Sequence, residues 1–303
     1  MMWDDLDPRS LDSRDRDPSD PRDRDSDDPR DVFARDLDLP RGLERERVHV
    51  HGHDYELRGS EVRTLSTIGA FRVVPLSDLH DDRGRTQDLW HGDLDRLRSA
   101  SLIRVVAPLD HEARTPLLTL TDRGREVLES HRARDRESRQ AFYAGPHRTR
   151  ELTHDAHLYR AYLRAAERLR EKGARIERII LEHDLKRDYQ RFLQERNRDR
   201  PESDGRPDRT REEIQEWAYE HRLSMDEDRV QFPDVRIEVE WPDGRRDVDD
   251  IEVTTPHYRG AHAAAKARAG FTRYRARGAR VGGRSGRGGG RSSDISLAEE
   301  FLE

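Results

Sequence analysis

Apolar positions recur at three- and four-residue spacing in some stretches of the chain and alternate with polar ones in others, and the two periods predict different elements. Val48-His-Val-His-Gly-His-Asp-Tyr-Glu-Leu57 alternates, which predicts a short strand or hairpin, with Ser60 then capping a helix. From Glu61 to about Ala70, Val62, Leu65 and Ile68 share one helical face. A second short helix is expected after Pro75, with Leu76 and Leu79 apolar and Ser77 as its cap. A third runs from about Thr86 to Ala100, turning Leu89, Trp90, Leu94 and Leu97 inward and His91, Arg96 and Arg98 outward. Leu102-Ile-Arg-Val-Val106 and Pro116-Leu-Leu-Thr-Leu120 read as strands around a polar loop, Asp110 to Arg114, and run into a helix through Val127 and Leu128.

Helical spacing returns from Glu151 to Glu171, with Leu152, Leu158, Tyr162, Ala166 and Leu169 in phase and Gly173 as the C-cap. Arg175 to Glu182 is strand-like, while Asp184 to Arg196 and Arg211 to about Arg222 are helical. Between those helices, Asn197 to Thr210 holds no apolar residue and reads as a solvated insertion. Val235 to Glu240 and Asp247 to Thr254 form a hairpin through Pro242-Asp-Gly244, and a helix is expected from Arg259 to Arg277. The chain so divides into a tail (1–30), a folded region (31–131), a helical linker (132–147), a second folded region (148–277) and a Gly/Arg-rich tail (278–303).

Composition sharpens this division. Charged residues make up 40% of the chain and hydrophobic ones 32%, against roughly 25% charged in ordinary soluble domains, so part of the chain cannot bury a core and both tails are expected to be disordered. The absence of cysteine excludes disulfides, cysteine-ligated zinc and thiol catalysis, and fits a reducing compartment. The Asp/Arg opening lacks the apolar core of a signal peptide, and no stretch approaches the roughly 20 apolar residues that span a bilayer. A cytoplasmic location without a membrane partner is expected. Much of the net charge of -6 comes from that opening segment, so it says little about the charge of a folded face.

Three helices followed by two strands around a polar loop, closing on Leu120-Thr-Asp-Arg-Gly-Arg125, resemble the winged helix-turn-helix families. The resemblance implies double-stranded DNA as partner, with the third helix in the major groove and the 110–114 loop on the backbone or in the minor groove. His91, Arg96, Arg98, Arg114 and Arg123 are the candidate DNA contacts. Asp88, Asp93 and Asp95 oppose phosphate on the same helix, and a winged helix that binds protein is the alternative.

In the second region, helix, strand, hairpin and helix follow in the order of the restriction-endonuclease-like α/β core. Pro233-Asp234 opens one strand and Ile251-Glu252-Val-Thr254 lies on the next, so an Asp and a Glu can converge on one divalent cation, Mg2+ or Mn2+ by the oxygen donors offered. This resembles the PD-(D/E)xK signature. It departs from that signature where the lysine belongs, because Thr254 stands there, and Lys266 on the following helix is the residue that can return an ammonium. On this reading Asp234 and Glu252 are metal ligands, Lys266 stabilises developing charge, and Glu151 or Asp155 is an outer acid; otherwise Asp234 is a turn residue and Glu252 a plain polar strand position. More narrowly, the winged helix together with His154-Asp155, Glu182-His-Asp-Leu185, Phe232-Pro-Asp234, Asp250-Ile-Glu252, Lys266 and Tyr274 resembles the replication-relaxation family of plasmids and other mobile elements. That resemblance implies a part in plasmid replication or DNA relaxation.

Other signals are weaker. His49, His51 and His53 alternate as a metal-binding strand face would, though a polar strand face explains the spacing without a ligand and is the preferred reading, since no acidic or sulfur partner stands at a fixed offset. His154 and His157 lie one helical turn apart, and a solvated first turn beside Asp155 is the plainer reading. Tyr258 and Tyr274 are not accompanied by the histidine cluster a covalent tyrosine mechanism uses, so core packing is preferred for Tyr274. The Arg/Gly run 275–291 either tracks phosphates or spaces the apolar segment 295–302, which can dock a replication or mobilisation protein. Two alternatives therefore stand beside a nuclease: a winged-helix regulator whose inactive second domain mediates homodimerisation, and an adaptor acting through that final segment.

Overall fold

The computed structural model describes residues 28–81, 83–106, 115–132, 140–146, 152–197, 209–254, 266 and 268–276. Residues 1–27 of the first tail, the tail 278–303 with its segment 295–302, most of the 197–210 insertion, the 110–114 loop with Arg114, Glu151 and Tyr258 lie outside them. The fold is mixed α+β, and among the described residues no helix is long and apolar enough to cross a membrane.

The first half begins earlier than its composition suggests. Arg30 is buried, bonded to the Asp28 carboxylate and to the His80 carbonyl, and leads into α1 (Asp31–Ala34). A hairpin of β1 (Glu46–Val50) and β2 (His53–Leu57) turns at His51-Gly52, so the three alternating histidines do not share one strand face. Helix α2 (Gly59–Phe71) is capped at Arg58 rather than Ser60, and Glu61 returns its carboxylate to the Arg58 N–H at 3.0 Å. After β3 (Val74–Pro75) the expected short helix is a single 3-10 turn, Leu76–Asp78, with Pro75 as its cap. The third helix, α3 (Gly92–Ser99), starts later than its pattern suggests, because Asp88 accepts the Trp90 N–H at 2.9 Å and diverts the backbone into a turn. Trp90 is consequently exposed, where an inward position was expected.

Strands β4 (Ile103–Val106) and β5 (Leu117–Leu120) pair antiparallel, β3 adds to the other side of β5, and α4 (Asp122–Ser130) follows. The local chemistry explains the Leu120-Thr-Asp-Arg-Gly-Arg125 run. The Thr121 hydroxyl donates to the Ser101 carbonyl at 2.6 Å and accepts the Gly124 N–H at 3.1 Å, which caps the helix. Gly124 lies so close to the preceding turn that a Cβ would stand 2.1 Å from the Leu102 carbonyl oxygen.

The expected helical linker is extended where it is described. Arg132 bridges to Leu37, Tyr143 N–H donates to the Gly69 carbonyl at 2.9 Å, and Ala144 bridges to Leu120. Gln140 accepts the Ile179 N–H on its side-chain oxygen at 3.1 Å, so the segment is stitched to both halves of the molecule, with the Tyr143 and Gly145 backbone N–H groups bonded to Gly69 and Leu120 and not within a helix.

The second half is built on α5 (Leu152–Glu171), ended by Gly173 at φ 78° as its sequence requires, and on a four-stranded sheet. Its strands are β6 (Arg175–Leu181), β9 (Val235–Glu240), β10 (Arg246–Thr254) and β11 (Thr272–Arg275), in the order β11-β10-β9-β6. β6 with β9 and β9 with β10 pair antiparallel, and β11 runs parallel to β10. The expected helix 259–277 therefore stops early: Lys266 and Arg268 are helical, Gly270 at φ 79° breaks the turn, and Tyr274 lies on a strand. Between β6 and β9 come α6 (Glu182–Gln194), α7 (Arg211–Glu220) and the small ladder of β7 (Met225–Asp226) and β8 (Arg229–Val230).

The two sheet faces differ because side chains alternate. Leu181, Ile179, Val235, Ile237, Val239, Ile251 and Val253 join Leu158, Tyr162 and Leu169 of α5 in one core. On the other face Arg178 pairs with Glu238 and Arg236 with Asp250, while Ile180 packs on a second core of Leu185, Trp217, Leu223 and Phe232 from the β6–β9 connection. Arg236 is buried, binds Asp250 through two nitrogens at 2.7 Å, and donates to the carbonyls of His221 and Arg222.

Two stability changes follow. Gly124→Ala should lower stability by about 1–3 kcal/mol through forced backbone displacement, read as a reduced urea midpoint; an unchanged midpoint would mean that α4 does not lie against Leu102. Arg236→Met should cost about 3–5 kcal/mol by leaving Asp250 buried without its cation, and the double variant Arg236→Met/Asp250→Leu should recover most of that loss in the same melt.

Candidate functional site

At one end of the sheet the strand register gathers carboxylates. Leu181 pairs with Val235, and Val235 with Ile251. One residue further out, Glu182 N–H donates to the Asp234 carbonyl at 3.1 Å and Asp234 N–H to the Ile251 carbonyl at 3.0 Å. Glu182, Asp234 and Glu252 thus form one row across three neighbouring strand ends, on the polar face. Like charges directly opposite one another destabilise a sheet, and burial makes the repulsion worse.

Lys266 answers that repulsion. Its ammonium lies 2.7 Å from Glu252 Oε2, 3.4 Å from Asp234 Oδ1 and 3.5 Å from Glu182 Oε1. Asp234, Glu252 and Lys266 are exposed by only 6%, 3% and 5%, so these three are screened from water, while the Glu182 side chain is partly exposed. Burial opposes the charge on Lys266, but Asp234, Glu182 and Glu252 outweigh it and hold the ammonium above its ordinary range. Burial likewise opposes ionisation of Asp234, and His154, Lys266 and the Val253 N–H override it, leaving the carboxyl below its usual value.

The other oxygen of Asp234 is anchored. Oδ2 accepts the Val253 N–H at 2.7 Å and lies 3.2 Å from His154 Nε2. His154 Nδ1 is 3.6 Å from Asp155, so the half-buried imidazole bridges two carboxylates and is no solvated first-turn residue. Burial disfavours its charge, yet hydrogen bonds and attraction from Asp155 and Asp234 raise its pKa to about 10.

Asp234, Glu252 and Lys266, singled out from sequence, are thus together, with Asp155 reached through His154. Glu151 is outside the described residues. Glu182 and His154 appeared in the sequence as parts of the family motif set and were given no role in this cluster, since their separation in sequence from Asp234 conceals the contact. Thr254 does not enter the cluster and donates to the Tyr274 carbonyl at 3.3 Å. Tyr274 carries Arg164 over its ring at 4.9 Å, a packing role.

No family model, curated protein or solved structure matches this chain. Among the described residues no three His, Asp or Glu side chains are gathered as a ready metal cage. The carboxylates nonetheless surround a single cationic point, occupied by the Lys266 ammonium, and an all-oxygen surround of that kind fits a hard divalent ion.

The candidate DNA contacts are elsewhere and largely compensated. Helix α3 carries two Asp and two Arg. Arg96 lies 3.3 Å from Glu61, and Arg98 lies 2.7 Å from Asp95 while stacking over Trp90 at 4.5 Å. His91 is exposed beside Asp88 at 3.0 Å, Arg123 is exposed on the first turn of α4, and Arg114 lies outside the described residues.

The bridge made by His154 has a pH signature in metal-free protein. A folded-state pKa of about 10 against an unfolded value near 6.5 gives stabilisation that is complete below pH 6.5 and is lost as pH rises through 10. The difference in unfolding free energy between wild type and His154→Gln should accordingly be flat in mild acid and shrink steadily from pH 7 to 10; a pH-independent difference would show that the imidazole is not charged in the fold.

Proposed function

We propose that this protein binds double-stranded DNA and cleaves phosphodiester bonds with the help of a divalent metal ion, in the service of plasmid or mobile-element replication or relaxation. The observation that carries the nuclease reading is the convergence of Asp234, Glu252 and Lys266 at one end of a mixed sheet. The order β6, β9, β10, β11, with only the last pair parallel and α5 laid against the apolar face, supports a restriction-endonuclease-like core. The sheet order β3-β5-β4 after α2 and α3 supports a winged helix in the first half. The motif resemblance to the replication-relaxation family supports the biological setting.

In this reading Asp234 and Glu252 hold Mg2+ or Mn2+, which supplies Lewis acidity and an activated water when bound. Asp234 is kept anionic and correctly turned by His154 and the Val253 N–H. Lys266 offsets charge developing on the phosphate from the helix after β10, in place of the strand lysine that Thr254 supplants. The α3 arginines position DNA through whatever charge remains after pairing with Glu61 and Asp95.

A second reading, a DNA-binding regulator with an inactive second domain, is favoured by one feature: Lys266 already neutralises much of the carboxylate row, which can then stand as a structural ion cluster. Supercoiled plasmid incubated with Mg2+ or Mn2+ separates the two. The nuclease reading expects nicking or linearisation by the wild type, none by Asp234→Ala or Glu252→Ala, a loss on the order of 10²–10³-fold for Lys266→Gln, and unchanged gel-shift affinity throughout. Equal binding with no cutting by any of them leaves the regulator.

A further inference from the structure

The ammonium of Lys266 occupies the point that three carboxylates face. Charge compensation asks for some cation there, and the chain supplies its own: a side chain 5% exposed, reaching the row from a helix outside it. Asp234 Oδ2 is already committed to Val253 N–H and His154, which turns Oδ1 toward that point. Glu182 completes the row from the end of β6, where its backbone is fixed by the bond to the Asp234 carbonyl. Its side chain divides itself between Lys266 at 3.5 Å and Lys186 at 2.8 Å, so a better cation can draw it in.

We propose that the position of the Lys266 ammonium is the divalent-cation site, that Glu182 is its third carboxylate donor beside Asp234 and Glu252, and that Lys266 is a built-in competitor which must withdraw before the ion enters. The inference rests on the nuclease reading and adds to it a ligand and a control of metal loading. A metal–oxygen bond is about 2.0–2.1 Å for Mg2+, so an ion and an ammonium cannot share that point. Withdrawal also frees the ammonium for phosphate, so the ion and the phosphate each take over one half of the present cluster.

Competition makes a prediction opposite to that for an ordinary supporting lysine. An opposite charge within about 4–6 Å lowers a carboxylate's proton affinity by about 1–3 pKa units, which is about 10-fold or more, and the same electrostatics weaken its hold on any other cation. Mn2+ binding to the full chain, measured by titration calorimetry without DNA, should therefore be at least about 10-fold tighter in Lys266→Met than in wild type. It should stay weak in Lys266→Arg, which keeps the competing charge, and fall below wild type in Glu182→Gln. Lys266→Met should also melt early without metal and recover on adding Mn2+.

A wild-type measurement guards against a variant that does not fold. The buried Lys266 ammonium should give a slowly exchanging nitrogen-15 signal in metal-free protein and lose it as Mg2+ saturates the site; persistence of that signal at saturation overturns competition. So does Lys266→Met binding Mn2+ no more tightly than wild type, and unchanged affinity in Glu182→Gln removes Glu182 from the donor set. If wild type cuts plasmid while these comparisons fail, only the inference falls. If no form binds Mn2+ and none cuts, the nuclease reading falls with it.

Discussion

Aromatic rings from three segments fill the joint between α1, α2 and α5, and the placement of both halves follows from them. Phe33 meets Phe71 edge-on at 5.4 Å, Tyr162 lies 5.2 Å from each, and Tyr159 lies 5.1 Å from Phe71. The Tyr162 hydroxyl ends on the Pro29 carbonyl, so even the start of the described chain is drawn into the same core. Rings of this size dominate core energetics, and offset or edge contacts add specificity of orientation. Because α5 is fixed by these rings along one side and by the apolar sheet face along another, the position of His154 on its first turn is set from both halves of the molecule.

The sheet resolves a conflict between packing and charge by giving each its own face. Hydrophobic burial against α5 takes every second residue of β9 and, around a bulge, Ile176, Ile179 and Leu181 of β6, and apart from Ile180 most intervening positions carry acids and arginines that would be costly if left unpaired. Along that polar face the charges are matched in rungs, Arg178 with Glu238 and Arg236 with Asp250, until the last rung, which holds only acids. That rung has no strand cation to match it, and the compensation arrives from outside the sheet.

Much of this was legible in the sequence wherever a local pattern carried it. The β9–β10 hairpin announced itself by alternation around Asp243-Gly244, and α5 by its spacing and terminal glycine. Asp234, Glu252 and Lys266 could be nominated because strand register and helix order put acids and lysine within reach. What was not legible was set by long-range contact. Trp90 looked like core until Asp88 turned its backbone away, and residues 140–146 looked helical until they were drawn out between Gly69 and Ile179. Glu182 and His154 stood beside Asp234 only as parts of a motif set and carried no role there, because no period in the chain encodes a meeting of β6, β9 and the start of α5.

The strand position held by Thr254 has a consequence for how such a site can change. A lysine two residues after the acid is bound to the sheet, and any shift of that strand moves acid and ammonium together. Here the acid is fixed by the ladder, whereas the ammonium comes from a helix beyond β10 and Thr254 is spent on the Tyr274 carbonyl. Position of the donor and position of the counter-charge are thereby two separate degrees of freedom. Substitutions around Lys266 can retune the electrostatics without touching strand register, a mechanical independence that a single-strand arrangement does not have.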